Sequence, residues 1–413
     1  MHIPLLQDLL ILLGFSVLVV FALQRLKLPS ILGFLLTGML IGPYGLGLVH
    51  ESAQIEVISE IGVILLLFVI GMELSIKQLA SIKKTVFIGG ALQVGLTVLV
   101  AALVYYALGN QWNEALFVGF LFSLSSTAIV LKVLQDRNEI GAPHGRHALA
   151  ILIFQDLIVV PMMLVTPMLA GESGNLGGSI LSLLLKTLVV IALTFVSARY
   201  VVPRLMHSIA RTGNKELFLI TTITICFAVA FFTSEAGLSL ALGAFLAGLI
   251  ISESEYSHQA TSIMLPFREL FTSFFFISVG MLLDLRFFGQ HLALILLMVL
   301  GVFLVKSLIA SLAVAVLKYP PRTFLLTGLA LFQVGEFAFI LSKVGIEYGL
   351  LSDEVNQYFL AVSIVSMLLT PFVIIFSEHI AFGVMRLKPF QLINKKMVES
   401  SGEPNDPLLE ELN

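Results

Sequence analysis

Apolar stretches of roughly 17–25 residues, the length that crosses a bilayer as an α-helix, recur from one end of the chain to the other. Splitting them at proline, glycine and charge clusters predicts thirteen spans, over about 5–24, 30–48, 56–74, 85–107, 114–135, 148–169, 178–200, 216–233, 237–252, 266–284, 291–315, 323–346 and 355–380. The fold class expected is therefore an all-α polytopic membrane protein. The first run, Leu5 to Leu23, has no preceding basic region or small-residue cleavage site and is followed by Arg25 and Lys27, so it reads as a span rather than a signal peptide.

Lysines and arginines sort onto alternate loops. One side carries Arg25, Lys27, Lys77, Lys83, Lys84, Arg137, Arg146, Arg199, Arg204, Arg211, Lys215, Arg268, Lys318 and Arg322 with the basic residues of the tail, and the other carries little beyond Arg286 and Lys343. This places the N-terminus outside and the C-terminus in the cytoplasm, which an odd number of spans requires. From residue 383 to 413 the chain turns polar and acidic and reads as a cytosolic tail or linker, leaving 1–382 as the membrane domain.

Composition fits: 58% of the 413 residues are hydrophobic and 12% charged, against about 25% charged in soluble domains. The one cysteine, Cys226, lies in an apolar run and excludes a disulfide framework or a cysteine metal site. No basic patch interleaved with aromatics points to nucleic acid, and no cofactor motif occurs. His144 and His147 flank Arg146 at the predicted cytoplasmic mouth of span six, where either pH sensing or a solvated loop would suit them.

The chain also resembles itself. Leu32-Gly33-Phe34-Leu35-Leu36-Thr37-Gly38 matches Leu242-Gly243-Ala244-Phe245-Leu246-Ala247-Gly248 at an offset of 210, Phe68-Val69-Ile70-Gly71-Met72 matches Ile277-Ser278-Val279-Gly280-Met281 at 209, and Pro161 matches Pro371 at 210. That offset is seven spans, so two six-helix repeats, about 5–170 and 216–380, flank a connector helix at 178–200. An odd shift inverts the second copy, and inverted repeats are the architecture of alternating-access secondary transporters.

Polar residues penetrate the spans at few places. Ser123, Ser125, Ser126 and Thr127 interrupt span five as SLSSTAIV, and Gln333, Gly335 and Glu336 interrupt the mirrored span twelve as FQVGEFAF. Paired polar interruptions of this kind predict discontinuous helices that cross near the midplane, where freed backbone groups need polar neighbours and half-helix ends can hold ions. Hydroxyls bonding back to carbonyls of an unbroken helix would be the plainer account of the serines and threonine. Glu336 would compensate a positive half-helix end or form a structural pair.

Asp156, beside Gln155 in the middle of span six, marks an ion or proton pathway, since an ionisable group so deep is costly to the bilayer. A desolvated carboxylate competes for a proton, so one site could hold either a proton or a monovalent cation, and exclusive binding under alternating access is antiport. Lys306, deep in span eleven, needs a partner, for which Asp156 or Glu336 are the available carboxylates. Gln155 could coordinate an ion without titrating, or serve only as an interhelical hydrogen bond; with one central carboxylate, one proton per cation and electroneutral exchange are expected.

Taken together, LSSTAIVLK in span five, LIFQDLIVVP in span six, FFISVGM in span ten and GEFAFIL in span twelve resemble the second monovalent cation:proton antiporter family, and within it the Kef-type potassium efflux proteins. The resemblance implies a sodium/proton-antiporter-like fold in a homodimer of the bacterial inner membrane, Asp156 as the ion-binding carboxylate, Gln155 as its neighbour, Lys306 as its charge partner, and the Ser-Ser-Thr and Gly-Glu-Phe segments as the crossing helices. It implies K+ or Na+ and H+ as the ions carried. Such proteins usually continue into a nucleotide-binding regulatory domain, before which this sequence stops, and some are gated by glutathione through an acidic loop. Here that loop keeps Glu253, Glu255 and His258 but has Thr261, Met264 and Leu265 where acids are expected.

Other classes fit poorly. A potassium channel usually carries a filter such as TVGYG, which is absent, and an intramembrane aspartyl protease needs a facing aspartate, whereas Asp156 aligns with Ser366.

Overall fold

The computed structural model describes residues 4–26, 28–49, 53–73, 85–171, 196, 200–235, 240–252 and 254–386, and among them every regular element is helical. In chain order these are α1 (Pro4–Gln24), α2 (Ser30–Ile41), α3 (Ala53–Glu73), α4 (Gly90–Ala107, preceded by a π turn at Thr85–Gly89), α5 (Trp112–Ser123), α6 (Thr127–Asp136), α7 (Pro143–Leu169) and α8 (Val202–Ala210). There follow α9 (Lys215–Glu235), α10 (Leu240–Ser252), α11 (Ser257–Met281), α12 (Leu285–Gln290), α13 (Leu292–Ala315), α14 (Pro321–Ala330), α15 (Glu336–Glu347) and α16 (Asp353–Met385).

Among the described residues, nine helices are long and apolar enough to cross a membrane, and α2 and α10 are shorter apolar helices. Twelve of the thirteen predicted ranges thus coincide with a helix or a broken pair. The seventh, 178–200, lies almost wholly outside the described residues, as do Glu253 and most of the tail. Start signals are local: Pro29 precedes α2, Pro321 opens α14, and the Ser352 hydroxyl accepts from Val355 N at 3.3 Å to cap α16.

The helices gather into two compact units, Met1–Ser81 with Val160–Arg286, and Ile82–Val159 with Phe287–Asn413. Neither unit is a repeat. Each takes part of both copies, and the division falls inside α7.

In the first unit α2 and α3 pack on α11, and α3 also on α10. Glycines allow the close approach. A Cβ on Gly38 would collide with the Ile277 carbonyl and lie 3.0 Å from Gly280 Cα, while one on Gly71 would collide with the Phe245 carbonyl and lie 3.0 Å from Gly248 Cα. Gly38 and Gly248 are repeat partners, as are Gly71 and Gly280. The α2–α11 contact is therefore the image of the α10–α3 contact, as a two-fold relation between the copies requires. Leu12, Ile41, Ile55, Phe274, Ile277 and Met281 fill the core beside it.

Candidate functional site

The second unit holds two interrupted helices. α5 stops at Ser123 and α6 starts at Thr127, with Leu124 (φ −83°, ψ 142°) and Ser126 (φ −79°, ψ 107°) extended between them. α14 stops at Ala330 and α15 starts at Glu336, with Gly335 extended (φ −100°, ψ 171°). The interruptions meet: Gly335 N donates to Leu124 O at 3.1 Å, and a Cβ on Gly335 would collide with the Ser125 carbonyl. Ser125 and Gly335 are 210 residues apart, so the breaks touch at equivalent places of the two copies. The predicted break is present, and the plainer account of an unbroken helix does not hold.

An interrupted helix leaves amides and carbonyls that must be satisfied when buried. On the donor side, Ser125 N reaches Gln155 Oε1 at 2.7 Å, Ile129 N the Ser126 hydroxyl at 3.2 Å, Val334 N the Ser366 hydroxyl at 3.2 Å, and Ala128 N Glu336 Oε1 at 3.2 Å. On the acceptor side, Leu331 O receives the Ser125 hydroxyl at 2.8 Å and Ser123 O receives Gln93 Nε2 at 3.2 Å. Lys306 Nζ donates to both Leu124 O, at 2.8 Å, and Gln333 O, at 2.7 Å.

Lys306 is thus placed otherwise than the sequence suggested. Its ammonium sits on the carbonyls freed by the two breaks rather than on Asp156 or Glu336. The physical reason is the helix dipole: a C-terminal helix end carries a partial negative charge, and one cation bonded to a carbonyl from each break serves both. Glu336 does the converse, standing at the N-terminus of its own α15 while bonding the first turn of α6.

Asp156, 8% exposed on α7, accepts the Thr127 hydroxyl at 2.9 Å on Oδ1 and 3.2 Å on Oδ2. Thr127 is the first residue of α6 and only partly buried, and Ala128 beside it is exposed. The carboxylate therefore lies at a positive helix end, at a border between buried and exposed atoms. Gln155, one residue earlier, is committed to the protein: besides accepting from Ser125 N, its Nε2 donates to Gln93 Oε1 at 2.7 Å and approaches the Ser125 hydroxyl at 3.4 Å.

Ser125, Ser126, Thr127, Gln155, Asp156, Lys306, Gln333, Gly335 and Glu336 all meet around one crossing within one unit. Gln333 serves it through its backbone carbonyl, while its buried side-chain amide has no hydrogen bond among the described residues. Gln93 and Ser366 were not anticipated. A single amide in the apolar run of α4 was the available signal for Gln93, and the alignment of Ser366 with Asp156 was the signal for Ser366.

At the α6–α7 connection, Arg137 lies 2.8 Å from Glu139 and His144 Nε2 lies 3.3 Å from its other oxygen, while the rings of His147 and Tyr319 meet at a tilt of 53° with centroids 3.9 Å apart. The corner is mixed: Gly145 and His147 are buried, whereas Asn138, Gly141, Pro143 and Arg146 are exposed. Partial burial disfavours the Glu139 carboxylate, but the hydrogen bonds and charges of Arg137 and His144 outweigh it and hold its carboxyl below the usual glutamate value. Among the described residues no group of three or more His, Cys, Asp or Glu could hold a metal ion.

The family model described as "Sodium/hydrogen exchanger, transmembrane" matches residues 11–376. The chain is 35% identical over 373 residues to a putative K(+) efflux antiporter KefB of Alkalimonas amylolytica, covering 89% of this chain and 56% of that protein. It is 38% identical over 334 residues to the glutathione-regulated potassium-efflux system protein KefC of Salmonella typhimurium, covering 80% of this chain and 54% of that one. It is also 36% identical over 349 residues to K(+) efflux antiporter 4 of Arabidopsis thaliana, covering 83% and 59%. The chain spans a little over half the length of these relatives. Its backbone matches that of the sodium proton antiporter MjNhaP1 from Methanocaldococcus jannaschii with a TM-score of 0.62 at 18% identity, over 90% of this chain and 95% of that one. That likeness is one of fold.

Proposed function

Since this integral membrane chain belongs to the sodium/hydrogen exchanger transmembrane family, we propose that it exchanges a monovalent cation for protons, with potassium as the cation and sodium as the alternative. The observation that carries this reading is the Asp156 carboxylate bonded to Thr127 at the start of α6, beside two helices that break and cross. In this reading Asp156 binds either a proton or a cation, and Thr127 Oγ1 turns a lone pair toward the cation when one arrives. Backbone carbonyls near the break complete the ligand set.

Lys306 bears on stoichiometry. Held by Leu124 O and Gln333 O, its ammonium serves the crossing and need not leave Asp156 when a cation enters. One proton then exchanges for one cation with no net charge moved. The names of the potassium-efflux relatives support potassium over sodium. A homodimer in a bacterial inner membrane, with the N-terminus outside and the C-terminus inside, completes the proposal. A regulatory domain is part of the same reading, because the chain spans only a little over half the length of these relatives. Glutathione is not proposed as a ligand, since Thr261, Met264 and Leu265 stand where acids are expected, and they lie within α11 rather than in the predicted loop.

The test is reconstitution in liposomes holding a pH dye, with potassium or sodium added across a proton gradient and the membrane potential clamped. Cation-dependent pH change lost in Asp156→Asn is expected, larger with potassium. Undiminished exchange by a folded Asp156→Asn protein would refute the carboxylate site.

A further inference from the structure

Seven buried side-chain atoms lack a hydrogen-bond partner among the described residues, and six belong to the unit that holds the crossing: Ser307 Oγ, Gln333 Nε2 and Oε1, Glu336 Oε2, Asn356 Oδ1 and Ser363 Oγ. Buried polar atoms are rarely left unpaired, and a cluster of them is how an internal hydrated space presents itself in the protein atoms alone. Their distribution has a direction.

On α16, buried Asn356, Ser363, Thr370 and Ser377 recur every seven residues, which places them along one face. Toward the C-terminal end the hydroxyls are satisfied by their own helix: Ser366 on Ser363 O at 2.9 Å, Thr370 on Ser366 O at 2.8 Å and Ser377 on Ile374 O at 2.8 Å. Toward the N-terminal end Ser363 forgoes the same bond and Asn356 Oδ1 has none. Ser366, about 15 Å along the helix from Asn356 at ~1.5 Å per residue, bonds Val334 N in the break that leads to Glu336. It also occupies the place in its repeat that Asp156 occupies in the other.

We propose that Asn356, Ser363, Gln333 and Glu336 line a buried water-filled seam, through which Glu336 exchanges its proton with the solution at the N-terminal end of α16. Glu336 Oε1 is bound to Ala128 N and the carboxyl also meets the Ser126 hydroxyl and its own backbone amide, and Oε2 is the atom that receives the proton from an adjoining water, which is itself re-protonated by the next. Among the described residues, the other ionisable groups at the crossing are Lys306, on its two carbonyls, and Asp156, which accepts from Thr127; the buried polar residues of α14 and α16 are uncharged. The inference does not depend on the exchange reading, because neither readout below involves transport.

The test is pH-difference infrared spectroscopy of the reconstituted full chain. A carboxyl band absent from Glu336→Gln should shift on transfer to heavy water, and the shift should slow several-fold in Ser363→Val and Asn356→Leu. No band assignable to Glu336, or a rate untouched by both substitutions, would overturn the proposal. Thermal unfolding of Ser363→Ala is a second measurement. A hydroxyl bonded to water should be missed and the melting temperature should fall, whereas an unchanged or raised value means that the seam is dry and the proposal wrong.

Discussion

Replacing Gln155 with leucine separates a structural amide from an ion ligand. The side chain keeps its approximate volume, but Ser125 N–H loses its acceptor and Gln93 Oε1 loses its donor, both buried. A polar group left unpaired in a protein interior costs about 1–3 kcal/mol, while interhelical hydrogen bonds in membrane proteins average nearer ~0.6 kcal/mol because the unfolded reference also finds partners. Two such losses, one of them a backbone amide with no helical alternative, should total about 1–4 kcal/mol on these figures.

Trp112, the sole tryptophan, opens α5 and packs edge-on against Tyr106 with ring centroids 5.6 Å apart, so its fluorescence reports thermal unfolding in detergent from within the unit concerned. Gln155→Leu should melt several degrees below the parent. Gln93→Leu should also destabilise, and the double variant should cost less than the two singles together, because contacting residues couple by roughly 0.5–3 kcal/mol. A Gln155→Leu protein that melts with the parent, or strict additivity with Gln93→Leu, would show that the amide pair does not support the break.

Gly335→Ala should destabilise the protein by about 1–3 kcal/mol, the usual cost of overpacking, because its Cβ meets the Ser125 backbone rather than a movable side chain; melting temperature and exchange rate should both fall. Thr127→Val removes the hydroxyl on Asp156 at nearly constant volume, so the expected result in flux assays is a weaker apparent cation affinity with stability little changed, and unaltered affinity would exclude Thr127 from the site. Glu139, held below its usual value, contributes stability that is present above the ordinary glutamate range and lost as pH falls through its depressed folded value. Hydrogen exchange over residues 137–147 should therefore quicken in that acid window, and Glu139→Gln should abolish the change.

What could be read from the chain, and what could not, follows from what each kind of signal encodes. The bilayer demands long apolar runs, so the helices were legible, and their interruptions were legible because SLSST and FQVGE place polarity where a continuous helix has no use for it. The repeat was legible from LGFLLTG and LGAFLAG, whose glycines let α2 and α10 approach α11 and α3. The two compact units were not, because similarity groups residues by copy whereas packing draws half of each copy into each unit. The partner of Lys306 escaped for a related reason. A buried lysine announces a need for negative charge, and carboxylates are the negative groups that a sequence displays. The carbonyls of Leu124 and Gln333 become strong acceptors only because both helices break there, so the partner exists only once the two breaks have met. Gln93 is the same case in the opposite polarity: one amide in an apolar helix is unremarkable until Gln155, 62 residues away, turns toward the same interruption. Residues that bind backbone groups at a helix break therefore stay hidden in a sequence even where the break itself is plain.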